Sequence, residues 1–415
     1  MIPAYPMQGH VIPAVHLALR LAERGFAVTF VNTESVHHRI GAGADIFAGA
    51  RARGFGAGRA VRAGERRIPS GLRPVAEPPP VHGRPPARAP RPRRGAAPPR
   101  RRGSGRDVPR RRHVLRVARH AGAEARRAVR VVLDGASAHL QPLLYHMDLT
   151  QNGHFRCNEP RKDTITYIPG VPAIEPGELM SFLQKTDKTS VAHRIIFKAF
   201  EEARGADLVV CNTVEELEPS VIAALRAEKP FYAVGPILPA GFARSAVATS
   251  LGARFLWVLR PDVVSSDDPD PLPEGFAAAG RGLVVPWCCQ VEVLSHAAVG
   301  GFLTHCGWNS ILESVWAGVP MLCFPLLADQ ITNRRLVDRE WRAGASVGDR
   351  GAVRADEVRA RIEGLMMGGE EGARLREQVG KLRATLQAAG ATGGSSRRTF
   401  DEFVDELKRR CGGGR

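Results

Sequence analysis

Between Trp287 and Gln330 the chain reads WCCQVEVLSHAAVGGFLTHCGWNSILESVWAGVPMLCFPLLADQ, and no other stretch constrains the fold as tightly. Gly300 to Thr304 is a short apolar run of the kind that forms a buried strand. Gly307 breaks it. Asn309 and Ser310 are good helix-start residues, and Ile311, Leu312, Val315 and Trp316 then recur at helical spacing. Polar residues therefore stand where a strand ends and a helix begins. Backbone N–H groups and the helix dipole make such a place an anion site. His305, Asn309 and Ser310 add side-chain donors, and Glu313, one turn further on, can accept from ribose hydroxyls. A diphosphate joined to a ribose satisfies all of them. The competing reading is an ordinary α/β core in which Trp287, His305 and Trp308 merely pack. Packing alone does not demand polar residues at a strand-to-helix switch.

The stretch closely resembles the signature box of plant UDP-dependent glycosyltransferases (family 1, GT-B fold). The match runs without a gap from the opening Trp-x-x-Gln through His-Cys-Gly-Trp-Asn-Ser to the closing Asp-Gln. The resemblance implies that Trp287 stacks on uracil and that the backbone of Cys288 pairs with the uracil edge. It implies that Gln290 and Glu313 bind ribose. His305, Asn309 and Ser310, around Gly307, would hold the diphosphate, and Trp308, Asp329 and Gln330 would face the sugar. A glutamine closing the box is linked in this family to glucose, and a histidine there to galactose.

At 415 residues the chain has room for two domains with full cores. No run reaches transmembrane length, and the start, MIPAYPMQGH, lacks the charged-then-apolar pattern of a signal peptide. The seven cysteines are odd in number and show no CxxC spacing, which favours reduced thiols and a cytoplasmic protein over a disulfide framework or a zinc site. The net charge of +17 suggests nucleic-acid binding until it is located. Residues 51–140 hold 24 Arg, no Lys and 5 acidic residues, so the basicity belongs to one segment and the rest of the chain is slightly acidic.

Near the start, Tyr5-Pro-Met-Gln-Gly-His10 leads into Val11, Ile12, Val15, Leu17, Leu19 and Leu21, a mostly buried helix closed near Gly25. Phe26 to Asn32 reads as a buried strand. This opens a Rossmann-like unit without the GxGxxG of dinucleotide binders. His10 falls between a strand end and a helix start. It matches the Gln-Gly-His that opens many of the glycosyltransferases, where the histidine is the catalytic base, and an imidazole titrates close to working pH. The strand before Tyr5 is nearly absent compared with the family.

From about Gly56 to Pro142 the text is Arg-, Pro- and Gly-rich, with Pro78-Pro-Pro80, Arg91-Pro-Arg-Arg94 and Pro99-Arg-Arg-Arg102. Composition alone gives a disordered basic linker or an arginine-rich binding arm. Arg-rich, Lys-free text is also what GC-rich coding DNA yields out of frame. The family's stretch before a Tyr-His-Met motif, here Tyr145-His-Met147, gives close to the sequence of residues 122–136 when its frame is shifted. Segment 56–142 is accordingly expected to be a frame product without structure, and Asp134 is not assigned as the partner of His10.

Past Leu143, Arg161 to Ile174 resembles an acceptor-domain loop of the family. Val191 to Arg204 reads as a helix, Asp207 to Asn212 as a strand, and Gly235 to Gly241 as interdomain linker. After Ser250 the chain enters the strand text Leu251–Leu259 directly. The first strand and helix of the nucleotide domain are missing by comparison with the family.

The expected architecture is α/β, GT-B, two Rossmann-like domains facing a cleft, with the first domain incomplete. Residues 1–234 form the acceptor domain, 235–250 the linker, 251–396 the UDP-sugar domain, and 397–415 a helix returning to the first domain. The implied reaction is inverting transfer of a hexose, glucose by the closing Gln330, from a UDP-sugar to a hydroxyl of a small hydrophobic acceptor such as a flavonoid. No metal or cofactor is expected, and the protein is expected to be a monomer. Two other classes stay open. One is an inactive remnant that retains only the UDP-sugar site, since three core elements are short or missing. The other is nucleic-acid binding through 51–140, against which the lack of Lys and of interleaved aromatics argues.

Overall fold

The structure, a computed structural model, describes residues 2–3, 8–26, 28–31, 62–63, 115–117, 129–134, 145–155, 161, 163–184, 197, 204–238, 254–259, 282–348, 353–366 and 369–412. The first half contains β1 (Ile2–Pro3), α1 (Gln8–Glu23), β2 (Thr29–Val31), β3 (Arg62–Ala63), β4 (Leu115–Val117), β5 (Val129–Asp134), α2 (His146–Gln151), α3 (Ser181–Gln184), β6 (Leu208–Cys211), α4 (Pro219–Glu228) and β7 (Phe231–Ala233). The second half contains β8 (Phe255–Val258), β9 (Gly282–Val285), α5 (Gln290–Ser295), β10 (Phe302–Thr304), α6 (Trp308–Ala317), β11 (Met321–Cys323), α7 (Gln330–Arg335), β12 (Gly344–Ser346), α8 (Ala355–Met366), α9 (Glu370–Gly390) and α10 (Ser395–Gly412).

In the first half, β5, β6 and β7 pair in parallel, with β4 antiparallel at the edge. The side chains of β6 alternate, as a strand must. Leu208 and Val210 join the core formed by α1 and α10, while Val209 and Cys211 pack with Val221, Ile222 and Leu225 of α4. Both faces are covered, which explains why Leu-Val-Val-Cys is apolar without interruption. From α1, Leu17, Ala18 and Leu21 meet Phe403, Val404 and Leu407 of α10, so the last helix is built into the core of the first half.

In the second half, β10, β11 and β12 form a parallel sheet with Thr304 level with Cys323 and Leu322 level with Ala345. Met321 and Cys323 face Ile311, Leu312 and Val315 of α6, and Leu322 faces Leu365 and Leu375 on the opposite side. Gly318 ends α6 in the left-handed region at φ 70, where glycine carries no Cβ penalty. After α7 the helix widens into a π turn over Leu336–Glu340 rather than continuing as one α-helix.

The halves are joined by polar contacts around the turn Pro176–Glu178 and α3. Ser181 N donates to Ala328 O at 3.0 Å, and Ala328 N donates to Ser181 Oγ at 2.8 Å. Thr332 Oγ1 donates to Glu178 O at 2.9 Å. Glu178 is 2% exposed and pairs with Arg335 at 3.1 Å and Arg339 at 2.7 Å. Losing one partner of such a pair strands a buried charge, typically at about 3–5 kcal/mol. The pair thus fixes how this segment sits against α7.

Two features bear on the expectations above. Most of 56–142 lies outside the described residues, but three pieces of it are strands, and β5 lies between β4 and β6 with Asp134 level with Cys211. The expectation of a wholly unstructured segment is corrected there. Val129-Arg-Val-Val-Leu-Asp134 is rich in β-branched residues, and composition averaged over the Arg-rich segment hides it. The second feature is β8. Phe255, Leu256, Trp257 and Val258 are between 37% and 48% exposed, although β8 is apolar throughout and pairs in parallel with β9. Parallel strands are normally covered on both faces. Of the linker expected at 235–250 only 235–238 is described, and of the helix expected over 191–204 only Phe197 and Arg204.

Candidate active site

The strand-to-helix switch lies at the top of β10. Thr304 ends the strand, and its Oγ1 accepts the N–H of Cys306 at 3.2 Å. Cys306 is fully buried and sits at φ 65, a left-handed conformation that costs a non-glycine residue about 1–3 kcal/mol and is retained where surrounding structure enforces it. This kink lies two residues before α6, which starts at Trp308. Gly307 makes room for a neighbouring side chain. A Cβ there would collide with Nε2 of His305, so the imidazole lies over the glycine at the mouth of the turn.

Three side chains singled out from the sequence converge beside the first turns of α6. Gln290, the first residue of α5, donates from Nε2 to Ser310 Oγ at 3.0 Å and to Glu313 Oε2 at 2.6 Å. Burial pushes the Glu313 carboxyl above its ordinary range, and the bond from Gln290 opposes that. Trp287, three residues before Gln290, is 61% exposed and presents a large apolar ring to solvent. Burial also pushes the thiols of Cys288 and Cys289 up, so both are protonated at neutral pH and are poor nucleophiles.

On the far side of the turn, Asp329 immediately precedes α7 without a side-chain capping bond. Its Oδ2 accepts from Asn333 Nδ2 at 2.7 Å, and the same Nδ2 donates to the carbonyl of Cys306 at 3.0 Å. The fully buried Asn333 therefore ties the acid to the kinked turn. The side-chain oxygen of Gln330 accepts the N–H groups of Leu326 and Leu327 at 2.9 and 3.0 Å. Backbone N–H groups are unambiguous donors, so these bonds fix which end of the amide is oxygen and make the Nε2 end a donor. Ala328, in the same loop, is also left-handed at φ 60.

Trp308 is corrected. Its indole is 4% exposed, donates to the carbonyl of Asn212 at 2.7 Å, and packs against Trp341 with ring centroids 5.8 Å apart. The ring packs in the core, so it is the backbone of Trp308 that lies on the turn. The spacing of Trp308, Ile311, Leu312 and Val315 is the buried stripe of α6, and it carried this information.

His10 is the third residue of α1, in the first turn after β1 and the segment 4–7, and its side chain is not described. Sequence reading did not select Asn212 or Asn333. Asn212 stands immediately after the apolar strand Leu208–Cys211, the same strand-end position that drew attention to His305. Among the described residues no group of three or more His, Cys, Asp or Glu is placed to hold a metal ion, and no helix is long and apolar enough to cross a membrane.

A family profile described as "UDP-glucoronosyl and UDP-glucosyl transferase" matches residues 243–365, which include all of α5, α6 and the turn between β10 and α6. UDP-glycosyltransferase 86A1 of Arabidopsis thaliana is 41% identical over 470 residues, covering 99% of this chain and 94% of that protein. The chain belongs to the UDP-glycosyltransferase family. The aligned span takes in the arginine-rich segment, and at 470 positions it is longer than the 415-residue chain, so the relative carries residues without a counterpart here. Apo UGT2 of Phytolacca americana superposes with a TM-score of 0.67 at 20% identity, covering 98% of both chains, which establishes the GT-B fold of this UDP-glycosyltransferase. The same Phytolacca enzyme complexed with UDP-2-fluoro-glucose and pterostilbene superposes with a TM-score of 0.56 at 27% identity, over 66% of this chain and 71% of that one. This chain is thus a family enzyme of the plant type that uses a UDP-sugar to glycosylate small molecules.

Proposed function

We propose that this chain transfers glucose from UDP-glucose to a hydroxyl of a small hydrophobic acceptor, with inversion at the anomeric carbon. The observation that carries the proposal is the convergence of Gln290, Ser310 and Glu313 beside the start of α6. Trp287 stacks on uracil, the backbone of Cys288 pairs with its edge, and Gln290 and Glu313 hold the ribose. His305, Asn309, Ser310 and the first-turn N–H groups of α6 hold the diphosphate, with Gly307 letting the His305 ring lie close. As the bond to the anomeric carbon breaks, negative charge grows on the departing diphosphate, and preorganised donors at a helix start stabilise it. Asp329 accepts from sugar hydroxyls and Gln330 donates to them with the Nε2 left by its bonds to the loop. His10 takes the acceptor proton as its oxygen attacks from the opposite face; a single displacement inverts the centre. The Phytolacca complex with UDP-2-fluoro-glucose supports the donor class.

The donor is tested by comparing UDP-glucose, UDP-galactose and UDP-glucuronate. UDP-glucose is expected to give the highest kcat/KM, and Gln330→Ala is expected to lower it by about 1–2 kcal/mol of transition-state binding, the scale of one buried hydrogen bond. A higher kcat/KM with either of the other two donors contradicts the assignment.

The exposure of β8 favours a second reading, in which the chain binds the UDP-sugar but turns it over slowly. An apolar parallel strand open to solvent is what remains when the strand and helix that cover it in the family are missing. Normal glucosylation of phenols by the 415-residue chain eliminates this reading; UDP binding without turnover establishes it.

A further inference from the structure

We propose that Asn212, a residue of the first half and outside the signature box, is a positioning residue that sets which end of the Asn309 amide faces the diphosphate. The proposal rests on the donor reading given above. Its basis is a chain of hydrogen bonds with only one consistent assignment. Ile237 N donates to the side-chain oxygen of Asn212 at 2.7 Å. A backbone N–H has no other role, so the atom that receives it is Oδ1 and the remaining terminal atom of Asn212 is the donor nitrogen. That nitrogen lies 2.8 Å from a terminal atom of Asn309, which must then be the acceptor Oδ1. The Asn309 oxygen is turned toward Asn212, and its NH2 is the end directed away from it.

The polarity matters because Asn309 is the second residue of α6, beside the anion position of the turn. With the nitrogen outward, the amide adds a donor to those of the helix start. With the oxygen outward, a lone pair would face the phosphate oxygens. An isolated asparagine has no strong preference between the two, so the fixed polarity comes from the partner. Asn212 is well held for the task. It is 2% exposed, its carbonyl accepts the Trp308 indole at 2.7 Å, and it follows β6 directly. The backbone N–H that fixes it belongs to Ile237, in the segment leaving the first half. The orientation of a donor-site amide is thereby linked to the position of the connection between the two halves.

The test is a double-mutant cycle read by UDP and uridine binding to the full chain. Asn212→Asp keeps an acceptor for Ile237 N but cannot donate to Asn309 Oδ1, so the Asn309 amide is expected to turn over. UDP affinity is expected to fall by about tenfold or more, the effect of losing a hydrogen bond to a charged group, while uridine, which lacks the diphosphate, keeps its affinity. The introduced carboxylate also carries charge. In an Asn309→Ala background, therefore, Asn212→Asp is expected to weaken UDP less than about twofold, because the effect runs through Asn309. A full loss in that background would show direct repulsion and overturn the proposal, as would an unchanged UDP affinity in Asn212→Asp. A measurement on the unaltered chain guards against misfolded variants. With asparagine labelled by nitrogen-15, the Asn309 NH2 signals are expected to shift on adding UDP and to stay put with uridine. A chain that binds UDP without moving those signals overturns this proposal alone; a chain that binds no UDP overturns the donor reading with it.

Discussion

His10→Ala is expected to lower kcat by about 10²–10⁴-fold and to leave UDP affinity unchanged. The size is that of removing a positioned general base. The separation of effects follows from placement. His10 lies in the first turn of α1, in the first half, whereas the residues proposed to hold the nucleotide all belong to the segment from Trp287 to Gln330. A general base acts only when deprotonated, so the pH–rate profile of the unaltered chain is expected to carry an acidic limb that depends on this residue. That limb should vanish in His10→Ala. A variant with unchanged kcat would make His10 a packing residue, and one with lost UDP affinity would move it into the donor site.

The second large effect is expected from His305→Ala, about 10²–10³-fold in kcat if, as proposed, it is a preorganised donor at the leaving group. The same position offers a structural check. In Gly307→Ala the new methyl would displace the His305 ring, because its Nε2 occupies that space. The ring is the exposed end of a side chain, so the fold should tolerate the shift. Gly307→Ala is therefore expected to lose most of what His305→Ala loses, with an unfolding midpoint close to that of the unaltered chain. Full activity in Gly307→Ala would show that the ring's position over the glycine has no catalytic consequence.

The donor half was legible because its chemistry is consecutive. Strand, break, polar residues and helix follow one another from Gly300 to Trp316 in the sequence, whereas the left-handed kink at Cys306 does not show in it. What lay hidden depends on partners far along the chain. Asn212 meets Asn309 across 97 positions, and Glu178 meets Arg335 across 157, so no local pattern announces either pair. Asn333 was obscured differently: it looks like an ordinary helix residue until Asp329 and the Cys306 carbonyl are seen on its amide. Trp308 was assigned by resemblance to the sugar side, although its own helical register with Ile311 and Val315 placed it in the core. Val129–Asp134 was lost in the average composition of its surroundings, and a six-residue window would have found it.

The central claim is that the segment from Trp287 to Gln330 forms a UDP site, and calorimetric titration of UDP into the full chain tests it most directly. Binding with one-to-one stoichiometry is predicted, and Trp287→Ala is predicted to weaken it by about 1–3 kcal/mol, the worth of a base stacked on an aromatic ring. The absence of saturable heat with the unaltered chain, or an equal affinity in Trp287→Ala, would contradict it.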